Sequence, residues 1–115
     1  MNKSERLAKY TERYEALKAE LAEVGFAFPG SIHTRLTACG TATCRCHADP
    51  DKRHGPYSYW TRKAHGKTVG LLLTDEEFPL YREWVGNNRK LVAILREMRE
   101  VSASALTLRT GRKVP

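Results

Sequence analysis

The chain has 115 residues, the size of one small domain, and its 20 Lys and Arg exceed its 13 Asp and Glu to give a formal net charge of +7. With 41% hydrophobic and 29% charged residues, the composition excludes a disordered or collagen-like chain. No apolar run is long enough to cross a membrane, and the opening MNKSERLAKYTERY lacks the apolar core of a secretory signal. We therefore expect a cytoplasmic protein without a disulfide framework.

The net charge is concentrated in the middle of the chain. Residues 30–73 carry seven basic and two acidic side chains, and they hold all three cysteines and all four histidines. Residues 1–29 are neutral overall, and residues 74–115 have a net charge of +2. The middle segment is therefore where we expect the function, with the flanks as scaffold.

The first predicted element is a helix over residues 1–28. Ser4 is placed to cap its start, and Gly25 stands where a helix end is typical. Apolar residues follow one another at spacings of three and four, which predicts an a/d seam. The seam consists of Leu7, Tyr10, Tyr14, Leu17, Leu21 and Val24.

Strand signals begin after Pro29 and Gly30, which break the chain. Residues 31–37 alternate in character, with Ile32, Thr34 and Leu36 on one face. This pattern predicts a first strand.

A dense group of metal-ligating residue types follows this strand: Cys39, Cys44, Cys46, His47 and His54. Thiolates and imidazoles suit tetrahedral zinc, and a set of three cysteines and one histidine is common in structural sites. We predict zinc bound by Cys39, Cys44, Cys46 and His54, with His47 as the rival fourth ligand. His54 is preferred because it leaves a loop long enough to wrap the ion. Free buried or redox-active thiols and a disulfide are the alternatives.

Residues 57–64 and 67–73 are predicted to pair as a hairpin, because His65-Gly66 suits a two-residue primed turn. The turn sets the register, in which Ala64 pairs with Lys67, Arg62 with Val69, and Trp60 with Leu71. The face assigned to the core carries Trp60, Val69, Leu71 and Leu73. On the opposite face, Tyr57 and Tyr59 either stack on nucleic-acid bases or pack beneath a flanking helix.

The last predicted element is a helix over residues 74–108, followed by a basic tail over 109–115. Thr74 and Glu77 have the spacing of a capping box, and Pro79 is tolerated only near the helix start. A second seam follows: Tyr81, Trp84, Asn88, Leu91, Leu95, Met98, Ser102 and Ala105. The two helices either pack on each other or also zip against a second chain as a coiled-coil dimer.

These elements predict one α+β domain over residues 1–115. Long N-terminal and C-terminal helices, packed or coiled together, flank a small antiparallel β-meander over residues 30–73 that a zinc ion holds together.

One stretch of the chain resembles a known family. The residues that carry the resemblance are Gly30-Ser31-Ile32, Cys39-Gly40, Cys44-Arg45-Cys46, His54-Gly55-Pro56-Tyr57, Tyr59-Trp60 and Gly66-Lys67. They are similar to a family of short uncharacterised bacterial proteins, filed as a domain of unknown function and often met beside transposases. The resemblance implies a bacterial origin and a mobile-element context, and it supports the same four metal ligands, but it implies no activity.

Three functions are compatible with these patterns. The first is a zinc-stabilised nucleic-acid-binding module that serves as a mobile-element accessory factor, with DNA favoured over RNA. Its contacts would be Arg35, Arg45, Lys52, Arg53, Tyr57, Tyr59, Arg62, Lys63 and Lys67. The second is an adaptor whose helices dock a partner protein or a second copy. We do not expect an enzyme, because four protein ligands leave zinc no open position and no catalytic motif is present.

Overall fold

A computed structural model describes residues 1–115. Helix α1 spans Lys3–Ala22, strands β1, β2 and β3 span Ser31–Thr37, His54–Ala64 and Lys67–Leu73, and helix α2 spans Phe78–Thr110. Two helices thus flank a three-stranded antiparallel sheet, which confirms the predicted α+β class. Neither helix contains an apolar stretch sufficient to cross a bilayer. The chain divides into a helical unit, residues 1–27 and 87–115, and a sheet unit, residues 28–86.

In the helical unit, the predicted seam of α1 is the face that is covered. Leu17 is 2% exposed and is the one fully buried side chain of this unit. The other seam residues, Leu7, Tyr10, Tyr14, Leu21 and Val24, are half-buried, whereas every other residue of α1 is exposed. On α2 the predicted seam position Ser102 is exposed. Its neighbours Val101 and Ala103 are instead the half-buried residues of that turn.

Two contacts fix the direction of the helices within the helical unit. Arg13 forms an ion pair with Glu97, and the Asn87 side-chain amide donates to the Phe26 carbonyl oxygen at 2.9 Å. Arg13, within α1, thus contacts the later α2 residue, Glu97, whereas Phe26, after the end of α1, contacts the earlier α2 residue, Asn87. The two helices therefore run antiparallel. The Asn87 side chain thereby anchors the segment that follows α1.

The helix starts use side-chain caps. Asn2 caps α1 by accepting a hydrogen bond from the Glu5 N–H at 2.8 Å, so the prediction of Ser4 as the cap is wrong, because the helix already begins at Lys3. The capping box before α2 is confirmed. The Glu77 N–H donates to the Thr74 hydroxyl at 3.1 Å, and the Thr74 N–H donates to the Glu77 carboxylate at 2.9 Å.

The sheet has the order β1-β2-β3 with antiparallel neighbours. The predicted hairpin register is confirmed, since the observed pairs include Ala64 with Lys67, Arg62 with Val69 and Trp60 with Leu71. His65 and Gly66 both have positive φ, 52° and 76°, as a primed two-residue turn requires. Strand β1 pairs with β2 so that Ile32 lies opposite Trp60.

The core of the sheet unit lies on the face of the sheet that carries Trp60. Trp60, Leu73 and Val85 are buried, with exposures of 6%, 7% and 2%. Phe28, Ile32, Phe78 and Tyr81 pack around them. The Trp60 ring stacks on Phe28 with centroids 5.2 Å apart, and its Nε1–H donates to the Pro29 carbonyl oxygen at 2.9 Å.

The core assignment of Val69 and Leu71 is wrong. They lie on the same face as Trp60 but are 41% and 48% exposed. The residues that cover this face gather over Trp60 and Leu73, and they leave the outer part of the edge strand β3 uncovered.

The other side of the sheet, the open face, has no buried residue. Its cross-strand rows follow from the register and the alternation of side chains. The rows are Arg35 with Tyr57, His33 with Tyr59 and Leu72, Ser31 with Thr61 and Gly70, and Lys63 with Thr68.

Candidate metal centre and open sheet face

Three cysteines and one histidine converge where β1 ends and β2 begins. Thr37, the last residue of β1, pairs with His54, the first residue of β2, so the intervening segment must return to its starting point. Cys39 follows β1 directly, while Cys44 and Cys46 lie at a 3₁₀ turn over Arg45–His47. A second 3₁₀ turn, Pro50–Lys52, leads the chain back to His54.

The donor atoms of this cluster have the spacing that a single ion requires. The Sγ atoms of Cys39 and Cys46 are 3.6 Å apart, and the Sγ of Cys44 lies 3.4 Å from Nε2 of His54. All four donor atoms lie within 4.8 Å of one another. Zinc–sulfur bonds of ~2.3 Å at tetrahedral angles place two sulfurs about 3.8 Å apart, so the donor set fits one tetrahedral ion.

The charges within the cluster also favour a cation. Hydrogen bonding with the backbone of Thr41 and with the Cys46 thiol lowers the pKa of Cys39 to about 6. Hydrogen bonds with the Cys46 backbone and with His54 lower the pKa of Cys44, and contact with the Cys44 and Cys39 sulfurs raises the pKa of His54. The lowered pKa values of Cys39 and Cys44 favour the thiolate forms that bind metals, whereas the raised pKa of His54 means that a metal must displace a proton from this imidazole in order to bind it.

The third sulfur is held differently. The Cys39 backbone N–H donates to Sγ of Cys46 at 3.2 Å, yet burial and the two neighbouring thiols raise the pKa of Cys46. Cys46 is 2% exposed, and it is the one buried residue among the four members of the cluster. A hydrogen bond from a backbone N–H to a ligand sulfur is the kind of contact that orients metal ligands.

The structure thus brings together the four predicted ligands, Cys39, Cys44, Cys46 and His54, as a group that could hold a metal ion. His47, the rival ligand, is exposed and is not part of this group. All three cysteines are free thiols. If a metal binds here, these four protein donors would complete a closed tetrahedral shell, which is the arrangement of a structural site.

The structure distributes the predicted nucleic-acid contacts over three places. Arg35, Tyr57, Tyr59 and Lys63 lie on the open face, whereas Arg62 and Lys67 lie on the face of Trp60. The remaining three, Arg45, Lys52 and Arg53, are exposed along the segment that holds the metal ligands. The predicted set is therefore not one continuous surface. Of its basic residues, only Arg35 and Lys63 share a face of the sheet with the two tyrosines.

The two tyrosines lie on the uncovered side of the sheet. Tyr57 is 39% exposed, and Tyr59 is half-buried with the Arg35 guanidinium 4.7 Å from the centre of its ring. Arg62 is held on the other side, with its guanidinium 5.4 Å from the centre of the Phe28 ring.

The hairpin pattern places Thr61, Lys63, Thr68 and Gly70 on the face of the two tyrosines, as observed, but it did not identify Ser31, His33 or Leu72 as members of that face. Ser31, Thr61 and Thr68, together with Arg62 and Lys63, line a cleft of about 510 Å³ at the turn end of the sheet. His33 and Leu72 flank Tyr59 in its cross-strand row. The pairing of β1 with β2 would have placed Ser31 and His33 beside these residues, but no local turn specifies that register.

Comparison with known proteins identifies a family rather than an individual relative. No curated protein and no solved structure matches the chain. The family described as Domain of unknown function (DUF6788) matches residues 5–79, a span that includes all three strands and all four candidate metal ligands. Because this match covers well over half of the 115 residues, the chain belongs to the DUF6788 family.

Proposed function

We propose that this protein is a small nucleic-acid-binding module whose sheet unit is held together by one zinc ion, with DNA favoured over RNA. The observation that carries the proposal is the chemistry of the open face. Tyr57 and Tyr59 share this face with Arg35 and Lys63, and none of the three strands contains an acidic residue. A surface of this kind attracts a polyanion and offers rings to its bases.

The metal has a structural role in this proposal. Cys39, Cys44, Cys46 and His54 would hold the zinc, which would tie the segment between β1 and β2 to the ends of both strands. Three exposed cations, Arg45, Lys52 and Arg53, lie along that same segment. Fixing the segment therefore fixes the positions from which these cations contact phosphates. The proposal assigns no catalytic residue.

The experiment that tests the proposal measures affinity for DNA and RNA as a function of salt, using the full chain purified without added metal. Each phosphate contact should contribute about 0.9 to the slope of log affinity against log salt. Joint replacement of Arg35→Ala and Lys63→Ala should weaken binding and reduce that slope. Lys9→Ala, an exposed charge change on α1, is the control and should leave both unchanged. Absence of affinity for both nucleic acids at low salt would overturn the proposal.

A second candidate function, a protein-interaction adaptor, is favoured by the thin core of the helical unit. Leu17 is its one fully buried side chain, while Val92 and Leu106 on α2 are 45% and 52% exposed. Apolar side chains left in water at these positions would be covered if the helices docked on a partner or on a second copy. Light scattering across a wide range of concentration tests self-association, and a strict monomer would contradict that form of the adaptor.

A further inference from the structure

The spacing of the rings on the open face defines the form of nucleic acid that it can bind. Tyr57 and Tyr59 are two residues apart on β2, so their side chains leave the same face about 7 Å apart. Bases in a duplex follow one another every ~3.4 Å, and their faces are covered by the neighbouring bases. Rings at twice that spacing can each take a base only from an extended, unstacked strand.

The Arg35 guanidinium lies 4.7 Å from the centre of the Tyr59 ring, so a base that stacks on Tyr59 either displaces this side chain or takes the opposite side of the ring. The other surroundings of the two rings leave room for bases. Leu72, across from Tyr59, is 58% exposed, and Gly70 in the next row has no side chain. The residues of α2 that pack on the sheet, Phe78, Tyr81 and Val85, belong to the core cluster around Trp60 on the other face. The open face is therefore an apolar and aromatic surface accessible from solvent.

A cleft suited to phosphate lies one row beyond Tyr59. Its lining provides two cations, Arg62 and Lys63, and three hydroxyl groups, from Ser31, Thr61 and Thr68. None of the residues that line it is acidic. Arg62 is held beside the cleft by its contact with the rings of Phe28 and Trp60, at 5.4 and 5.8 Å from their centres. Guanidinium and hydroxyl groups are the side-chain donors that commonly bind phosphate oxygens.

We propose that the open face binds single-stranded nucleic acid rather than a duplex, with one base on Tyr59, the next on Tyr57 and a backbone phosphate in the cleft. The inference rests on the proposed function and deepens it by naming the form of the ligand. Charge complementarity supports this occupant over an apolar protein segment, because the open face carries Arg35 and Lys63, the cleft adds Arg62, and no strand carries a carboxylate. Stacking on a sheet face requires unpaired bases, which a duplex offers only at its ends.

The test is fluorescence anisotropy with the full zinc-loaded chain and labelled oligonucleotides of about eight nucleotides, a length within the usual site sizes. The probes are a deoxyuridine strand, a uridine strand and a DNA duplex of the same length. We expect both single strands to bind at least tenfold more tightly than the duplex, and the two strands to distinguish a preference for deoxyribose from one for ribose. Equal or tighter duplex binding would overturn the inference while leaving nucleic-acid binding in place. Failure of all three probes would overturn both.

Variants on the two faces of the sheet provide matched controls. Tyr59→Ala should weaken single-strand binding about tenfold or more, and Tyr59→Phe, which retains the ring, should weaken it less. Leu72→Ser on the open face should also weaken binding, whereas Leu71→Ser, the adjacent change on the other face, should not. Circular dichroism and zinc content confirm that each variant is folded. If Leu71→Ser and Leu72→Ser have the same effect, the assignment of the open face is wrong.

Discussion

Gly30→Ala should be among the most damaging small substitutions in this chain. Gly30 has a φ of +130°, a conformation that side chains rarely adopt. A Cβ added there would lie 2.2 Å from Nε1 of Trp60 and 2.8 Å from the Thr61 carbonyl oxygen. The alanine methyl group would therefore push against both the tryptophan ring of the core and the backbone of β2.

The expected cost has two parts. Backbone strain at a position of this kind costs about 1–3 kcal/mol. Displacing Trp60 breaks the hydrogen bond of its Nε1–H to the Pro29 carbonyl oxygen, and leaving a buried donor unpaired costs about 1–3 kcal/mol more. We expect the free energy of unfolding to fall by about 3 kcal/mol or more.

Gly86→Ala is the control because the same chemical change there should act in the opposite direction. Gly86 lies within α2, and a Cβ at this position meets nothing within 4 Å. Alanine is favoured over glycine inside a helix by about 1 kcal/mol, so this variant should be slightly more stable. Urea unfolding followed by tryptophan fluorescence is the assay, since Trp60 and Trp84 both belong to the sheet unit. Equal stability of Gly30→Ala and the parent chain would show that neither the positive φ of Gly30 nor its close approach to Trp60 limits the residue at this position.

Three further predictions concern the helical unit, the cap of α2 and the metal. Leu17→Ala should destabilise the helical unit by about 2–5 kcal/mol in a thermal melt followed by circular dichroism, whereas Leu106→Ala, at a position 52% exposed, should change stability by less than about 0.5 kcal/mol. Hydrogen bonding with Thr74 lowers the pKa of Glu77 below its ordinary value of 4.5. The carboxylate therefore stabilises the fold above pH 4.5 and loses this effect as the pH falls through its folded pKa, so the stability difference between the parent chain and Glu77→Gln should shrink on acidification, and a constant difference would contradict the assignment. Removing metal with a chelator should lower the unfolding temperature of the sheet unit, readding zinc should restore it, and an unchanged melt would count against a structural metal.

Local patterns in the sequence were sufficient to predict much of the fold. The seam from Leu7 to Val24 was predictable because residues three and four apart share one side of a helix. The hairpin register was predictable because His65-Gly66 fixes the pairing from the turn outward. The four metal-ligand candidates were predictable because few other roles explain so many thiol and imidazole groups in one short segment.

Features that depend on contacts distant in sequence could not be predicted in this way. Alternation placed Val69 and Leu71 on the face of Trp60, but their burial depends on how far the covering residues extend, which alternation does not specify. Ser31 and His33 join the open face only through the pairing of β1 with β2, and that register depends on the long segment that contains the cysteines.

The division of the basic residues into separate surfaces is the main change that the structure makes to the site. Arg62 and Lys67 are close in sequence to Lys63, yet the alternation of the strands places them on the opposite face. A count of charge along the chain cannot distinguish these faces. The open face is therefore a narrower and more testable binding surface than the basic segment as a whole.

Whether Cys39, Cys44, Cys46 and His54 bind zinc is decided by the zinc content of the full chain purified without added metal, measured beside that of His54→Ala and His47→Ala. These two histidines lie in the same segment, but only His54 belongs to the cluster with Cys39, Cys44 and Cys46. We predict about one zinc ion per chain for the parent protein and for His47→Ala, and a marked loss of zinc for His54→Ala. A parent chain that is folded and free of zinc would show that the cluster holds no structural zinc, and a loss of zinc in His47→Ala equal to that in His54→Ala would show that His54 is not the fourth ligand.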